Sequence, residues 1–211
     1  MGLIDRLVGK MVGKQEPIAT RAALADFLDS RAAFMAQKCV VEFCRVRAGV
    51  YWQKLFSEAE FKAELDLSRW RAYPPTFAML CEMVEASLRA PAGLRQRQLP
   101  DVLAAIAGEV FSRYPVPIGE EETYWDAGLA LVKERLEATQ AGPPRPVREM
   151  PAPMARAVFN VLPLHKDIVT NDYDYIFNNL RMNLLRAHEE FLEAADLPRL
   201  ADDLLGSAAL S

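Results

Sequence analysis

The chain has 211 residues, 51% of them hydrophobic and 26% charged, the balance of a globular protein rather than a disordered or membrane-spanning one. Its 25 basic and 29 acidic residues give a net charge of −4 and are interleaved, so there is no basic footprint for a nucleic-acid backbone. Cys39, Cys44 and Cys81 form no CxxC pair and leave one thiol over, which argues against a secreted disulfide scaffold and for a reducing cytoplasm.

Residues 1–14 read as a short amphipathic helix, with Leu3, Ile4, Leu7, Val8, Met11 and Val12 on one face and Arg6 and Lys10 on the other. Asp5, Arg6 and Lys10 interrupt what would otherwise be a signal-peptide core. Three glycines cost this helix about 1 kcal/mol each relative to alanine, so it needs a surface to fold against: the protein itself, a partner or a lipid head-group layer. Leu3, Leu7 and Lys10 are therefore candidate partner-contact residues. Met1 and Gly2 invite myristoylation, but Arg6 stands where that motif wants Ser or Thr.

Segment 20–56 contains no proline and only one late glycine, Gly49, and is apolar around most of its circumference. A helix apolar on several sides must be wrapped by others, so this segment is expected to form the axis of a bundle. At 100° per residue, Glu42 falls among Leu24, Met35 and Cys39, and Arg45 falls near Phe27, Phe34, Val41 and Trp52. Glu42, Arg45 and Trp52 are accordingly expected to point inward, either lining a cavity for an apolar small molecule or lipid or closing an internal ion pair. Cys39 and Cys44 lie on different faces of the helix and read as small core residues.

Ser57 and Glu60 have the spacing of a capping box for a helix over 58–72, which Pro74 and Pro75 are expected to break. Over 76–90 the positions Phe77, Leu80, Cys81, Val84 and Leu88 recur at helical spacing, and Pro91 and Gly93 end the run. Segment 99–114 presents Leu103, Ile106, Ala107, Val110 and Phe111 as a core face, and 120–140 starts with three acids suited to a helix N-terminus.

Pro143, Pro144, Pro146, Pro151 and Pro153 stiffen 141–153 toward polyproline II, the one segment that reads as a linker. Beyond it come a short helix over 154–164, a polar stretch from His165 to Thr170, and a long helix over 171–195 whose core stripe is Tyr173, Ile176, Phe177, Leu180, Leu184, Ala187 and Phe191. The same helix carries Tyr175, Asn178, Asn179, Asn183 and Arg186. Asparagine is a poor helix former, so this concentration points to partner contacts or to hydrogen bonds between helices. Tyr175, Asn178, Asn179 and Arg186 join the partner-contact candidates. A last turn or two follows Pro198.

No segment alternates with period two, so the fold class is all-α, a bundle of about seven or eight helices around a long central one. Its organisation reads as an N-terminal helix at 1–16, a helical core at 17–140, the linker at 141–153, C-terminal helices on the same core at 154–205 and a disordered tail at 206–211. His188 lacks the Glu-x-x-His spacing of di-iron bundles, and 165–174 lacks the glycine and terminal Glu of an EF-hand. No metal site, cofactor motif or catalytic pairing of acid and base is present, which disfavours an enzyme. The expected function is binding: an adaptor, assembly or regulatory module for another protein. A peripheral membrane surface and a second copy of the chain are further compatible partners.

Overall fold

The computed structural model describes residues 17–163 and 172–206. The candidates Leu3, Leu7 and Lys10, the polar stretch 165–170 and the tail 207–211 lie outside the described residues. The described elements are α1 Arg21–Ala48, α2 Trp52–Leu55, α3 Ala59–Ala92, α4 Leu99–Phe111, α5 Tyr124–Thr139, α6 Ala152–Asn160, α7 Tyr173–Ala194 and α8 Leu197–Leu205. The fold is all-α, and no β-strand occurs among the described residues beyond one isolated bridge between Ile18 and Ala195. Short 3₁₀ turns join α1 to α2 and α3 to α4, so the continuous helical segments among the described residues number six, against an expected seven or eight that included the N-terminal helix.

α1 begins where Thr20 caps it, accepting a hydrogen bond from the Ala23 amide at 3.3 Å, and ends at Gly49 with φ 53°, a conformation that glycine adopts without penalty. Its buried side is Leu24, Leu28, Met35, Cys39, Val40 and Phe43 with the small residues between them. The rest of its circumference is partly or fully exposed, so it is not the axis of the bundle.

That position belongs to α3, which packs against α1, α4, α5, α6, α7 and α8, and in which every residue from Ala72 to Glu85 is buried. The expected break at Pro74 and Pro75 does not occur; both prolines lie inside a 34-residue helix. An internal proline costs about 3 kcal/mol, partly because it strips the carbonyl four residues back of its partner. Here the stripped carbonyl of Trp70 is taken by the Tyr124 hydroxyl at 2.5 Å. Gly128 lets α5 approach closely on the same side: a Cβ there would sit 3.3 Å from Pro74 Cβ and Cγ. Burial of fourteen consecutive residues then outweighs what the prolines remove.

Other expectations shift for local reasons. The Ser57 hydroxyl donates to Lys54 O at 2.6 Å instead of capping, and α3 starts after Glu58 without a side-chain cap. α5 starts at Tyr124 rather than residue 120, because Arg71 holds the largely buried Glu120 at 2.5 Å and leaves the expected acidic first turn in a loop. α8 is a nine-residue helix, capped by Asp196 at 3.2 Å from the Arg199 amide, rather than a turn or two. One continuous cluster of buried apolar residues takes in side chains on both sides of the proline-rich segment, and Met150 inside that segment is fully buried.

Trp70, Tyr73, Phe77, Phe111, Tyr114 and Trp125 form an aromatic cluster where α3, α4 and α5 meet, with Phe77 and Phe111 centroids 5.0 Å apart. The hydroxyls of Tyr73 and Tyr114 both donate to Asp29 of α1, at 2.6 and 2.8 Å, which ties that cluster to the first helix.

Candidate functional site

Two places gather polar or exposed chemistry. The first is the outer face of α1 with the start of α7. Glu42 is not interior: its side chain is 46% exposed and pairs with Lys38 at 3.6 Å. Arg45 is exposed and lies over the Trp52 ring, 4.8 Å from its centroid. The arc that appears apolar on a wheel is itself only half covered, since Phe27 and Val41 are partly exposed and Phe34 is exposed. Glu42 lies at its edge, where a long side chain reaches solvent.

The structure nevertheless brings part of the predicted set together. Lys38 sits over the Phe34 ring at 5.4 Å, Glu42 follows on the next turn, and the Tyr175 ring packs on Phe43 at 5.7 Å. Burial, and then the neighbouring Glu42 carboxylate, push the Tyr175 hydroxyl above its ordinary pKa. Val46 is 61% exposed, Val50 88% and Tyr51 73%, and no residue from Gly49 to Leu55 is buried. Of the ten exposed large apolar side chains among the described residues, Phe34 and Val46 belong to α1, Val50 and Tyr51 to the turn that follows it, and Tyr175 to the start of α7. From Phe34 to the end of α1 at Ala48 the helix rises about 21 Å at 1.5 Å per residue, and the chain then turns at Gly49.

On α7, Asn178 and Arg186 are exposed and Asn179 is partly exposed, one stripe with the exposed Met182. Asn183 instead turns inward, its amide nitrogen donating to Asn179 O at 2.8 Å. His188 is half-buried, and that burial lowers its pKa.

The second place was not singled out from sequence. Glu82 and Glu85, on the buried half of α3, face Arg135 of α5 and the loop after α5. Arg135 donates through Nε and Nη2 to Glu82 Oε2, the Nε contact being 2.7 Å. Arg145 Nε stands 3.6 Å from Glu82 Oε1. Glu85 Oε1 accepts from Arg89 Nε at 2.7 Å and from Gln140 Nε2 at 2.5 Å, while Oε2 is buried without a partner. Arg89 also donates to Gly142 O at 2.8 Å and Thr139 O at 2.5 Å, satisfying carbonyls at the end of α5. Burial raises the Glu82 carboxyl above the ordinary glutamate range, against the pull of Arg135 and Arg145.

A cavity of about 280 Å³ opens beside these groups, lined by Glu82, Glu85, Arg89, Thr139, Pro144 and Arg145 among others. None of Glu42, Arg45 and Trp52 lines it. A sequence signal for Glu85 existed: it lies four residues after Cys81 and three before Leu88, inside the apolar stripe of α3. Arg135 and Arg145 carried no such signal, because they meet α3 only through the fold.

Among the described residues there is no cluster of three or more potential metal ligands and no helix long and apolar enough to cross a membrane. No protein-family model, curated protein or solved structure matches this chain.

Proposed function

We propose that this is a non-enzymatic helical binding protein, an adaptor, assembly or regulatory module that docks another protein on the outer face of α1. The observation that carries the reading is the run Val46, Val50 and Tyr51, exposed at the corner where α1 passes into α2, beside Trp52, over whose ring Arg45 lies. Contiguous apolar exposure of this kind marks interaction surfaces, and Tyr, Trp and Arg are the residues that most often dominate them. Glu42, Lys38 and Arg45 supply a charged border. Asn178, Asn179 and Arg186 extend the surface along α7, and Leu3, Leu7 and Lys10 belong to the proposal on sequence grounds, as a second contact element for a protein or a membrane surface. The three free, buried cysteines fit a reducing cytoplasm.

A photo-crosslinking residue placed at Val50 or Tyr51, and as control at the equally exposed Leu94, tests the reading in the native host. The expected result is one defined adduct from positions 50 and 51 that is absent from 94 and is abolished by Val46→Asp. Equal labelling at all three positions, or none, overturns it. An adduct with a second copy of the chain would make the partner the protein itself. The alternative of an apolar ligand held at Glu42 and Arg45 has lost its motivation, since both side chains reach solvent and neither lines the cavity described above.

A further inference from the structure

We propose that the cleft between α3 and the C-terminal end of α5 is a binding site for a free amino acid, its ammonium group held by Glu82 and Glu85 and its carboxylate by Arg145. This goes beyond the protein-docking reading, and the α1 surface takes no part in it.

Each carboxylate in the cleft has one oxygen tied down and one left over. Glu82 Oε2 is committed to Arg135, and its Oε1 has only Arg145 Nε at 3.6 Å, beyond hydrogen-bonding distance. Glu85 Oε1 is committed to Arg89 and Gln140, and its Oε2 is buried with no partner although the side chain lines the cavity. A buried acceptor without a donor costs about 1–3 kcal/mol, so the site is built to receive one. Glu82 and Glu85 lie one helical turn apart, which puts their Cβ atoms about 5–6 Å from each other on one face. A primary ammonium, with three donors, matches two acceptor oxygens so placed.

The cations are not interchangeable. Arg135 is spent on Glu82, and Arg89 on Glu85, Gly142 O and Thr139 O. Arg145, partly exposed at the mouth, makes among the described residues no hydrogen bond through its terminal nitrogens. Arg135 and Arg89 offset the two carboxylates, so Arg145 is the surplus charge and leaves the mouth of the cleft positive, suited to the carboxylate end of a ligand. Pro143 and Pro144 offer no N–H, and Ala86, Ala138 and Ala141 offer only small apolar walls. The cavity of 280 Å³ is about nine times the ~30 Å³ that a water occupies in the liquid, room for a molecule of amino-acid size.

The test is thermal unfolding of the full chain with each proteinogenic amino acid, with putrescine as an amine lacking an acid, and with butyrate as an acid lacking an amine. A ligand at about ten times its Kd should raise Tm by roughly 3–6 °C in a protein of this size. At least one amino acid is expected to do so and butyrate is not. Glu85→Gln should abolish the rise, and Arg145→Ala should weaken amino-acid binding about tenfold by calorimetry without affecting putrescine. Should Glu85→Gln fail to fold, Ala138→Trp fills the cleft from an exposed lining position and must abolish the rise as well. No rise with any amino acid means that water alone occupies the cleft and overturns the proposal. A rise with butyrate, a rise with putrescine but no amino acid, or a rise that survives Ala138→Trp overturns it equally.

Discussion

Replacing Arg135 by methionine removes the guanidinium from a pair in which both partners are almost wholly buried. Methionine keeps much of the side-chain volume, so the change is chiefly one of charge. Glu82 is left with Arg145 at 3.6 Å as its nearest cation, in a site that already raises its pKa by burial. Breaking a buried pair on one side costs about 3–5 kcal/mol; with Arg145 still present and the cleft open to water, the low end, about 3 kcal/mol, is expected at pH 7. At ~2–4 °C per kcal/mol in a protein of this size, Tm falls by roughly 6–12 °C.

The sign of the pH dependence follows from the same geometry. A carboxyl whose folded pKa is raised contributes stability that is present below its unfolded pKa and lost as pH rises through the folded one. Without Arg135 the raise grows, so the deficit is largest at pH 7 and shrinks as pH falls toward the ordinary glutamate value of about 4.3. Far-UV circular dichroism melts of wild type and variant over that range measure the difference directly, the other carboxyls being common to both proteins. Glu82→Gln combined with Arg135→Met should flatten the pH dependence and recover much of the loss. A deficit under about 1 kcal/mol at pH 7, or one that is constant with pH, would refute the buried pair.

Two glycines should respond with opposite signs. At Gly108 in α4 an added Cβ makes an ordinary contact, 3.7 Å from Leu129 Cδ2, and Gly108→Ala should stabilise by about 0.5–1 kcal/mol through the unfolded state. At Gly128 it meets the Pro74 ring at 3.3 Å and Phe111 at 3.4 Å, neither free to move, so Gly128→Ala should destabilise by up to about 2 kcal/mol in urea unfolding despite the better helix former. Tyr124→Phe removes the donor from the Trp70 carbonyl orphaned by Pro74 and should cost about 1–2 kcal/mol; an unchanged urea midpoint would show that the hydroxyl is not what rescues the proline site. Burial pushes the Cys39 and Cys44 thiols up to about 12 and raises Cys81 as well, so iodoacetamide should label none of the three in the native protein at pH 8 and all three in denaturant. Rapid native alkylation at Cys44 would contradict its burial.

The fold was more legible than the site. The start of α1 near residue 20, the stop at Gly93 and the apolar stripes of α4 and α7 are local features, and local features survive folding, whereas α1 ends at Ala48 and not near residue 56, because Gly49 takes φ 53° and turns the chain. Pro74 misled because its usual effect assumes that the carbonyl it strips finds no other partner, whereas the Trp70 carbonyl accepts from Tyr124, fifty-four residues on. Glu42 and Arg45 misled because a helical wheel sorts side chains by angle without saying which arc its neighbours cover. The same limit hid Glu82, whose partners on α5 and its following loop adjoin it only in the folded chain.

By itself, then, the sequence determined an all-α protein without strands among its described residues, and which positions carry the core stripes. These depend on hydrogen bonds and periodicities confined to a few turns. Only the tertiary structure decided that α3 rather than α1 is the axis, that the buried charges among the described residues are Glu82, Glu85, Arg135 and Asp172, and that Val46, Val50 and Tyr51 stay uncovered. The reason is that burial belongs to pairs of elements: one helix presents apolar or charged groups, and what packs against it determines whether water or protein receives them.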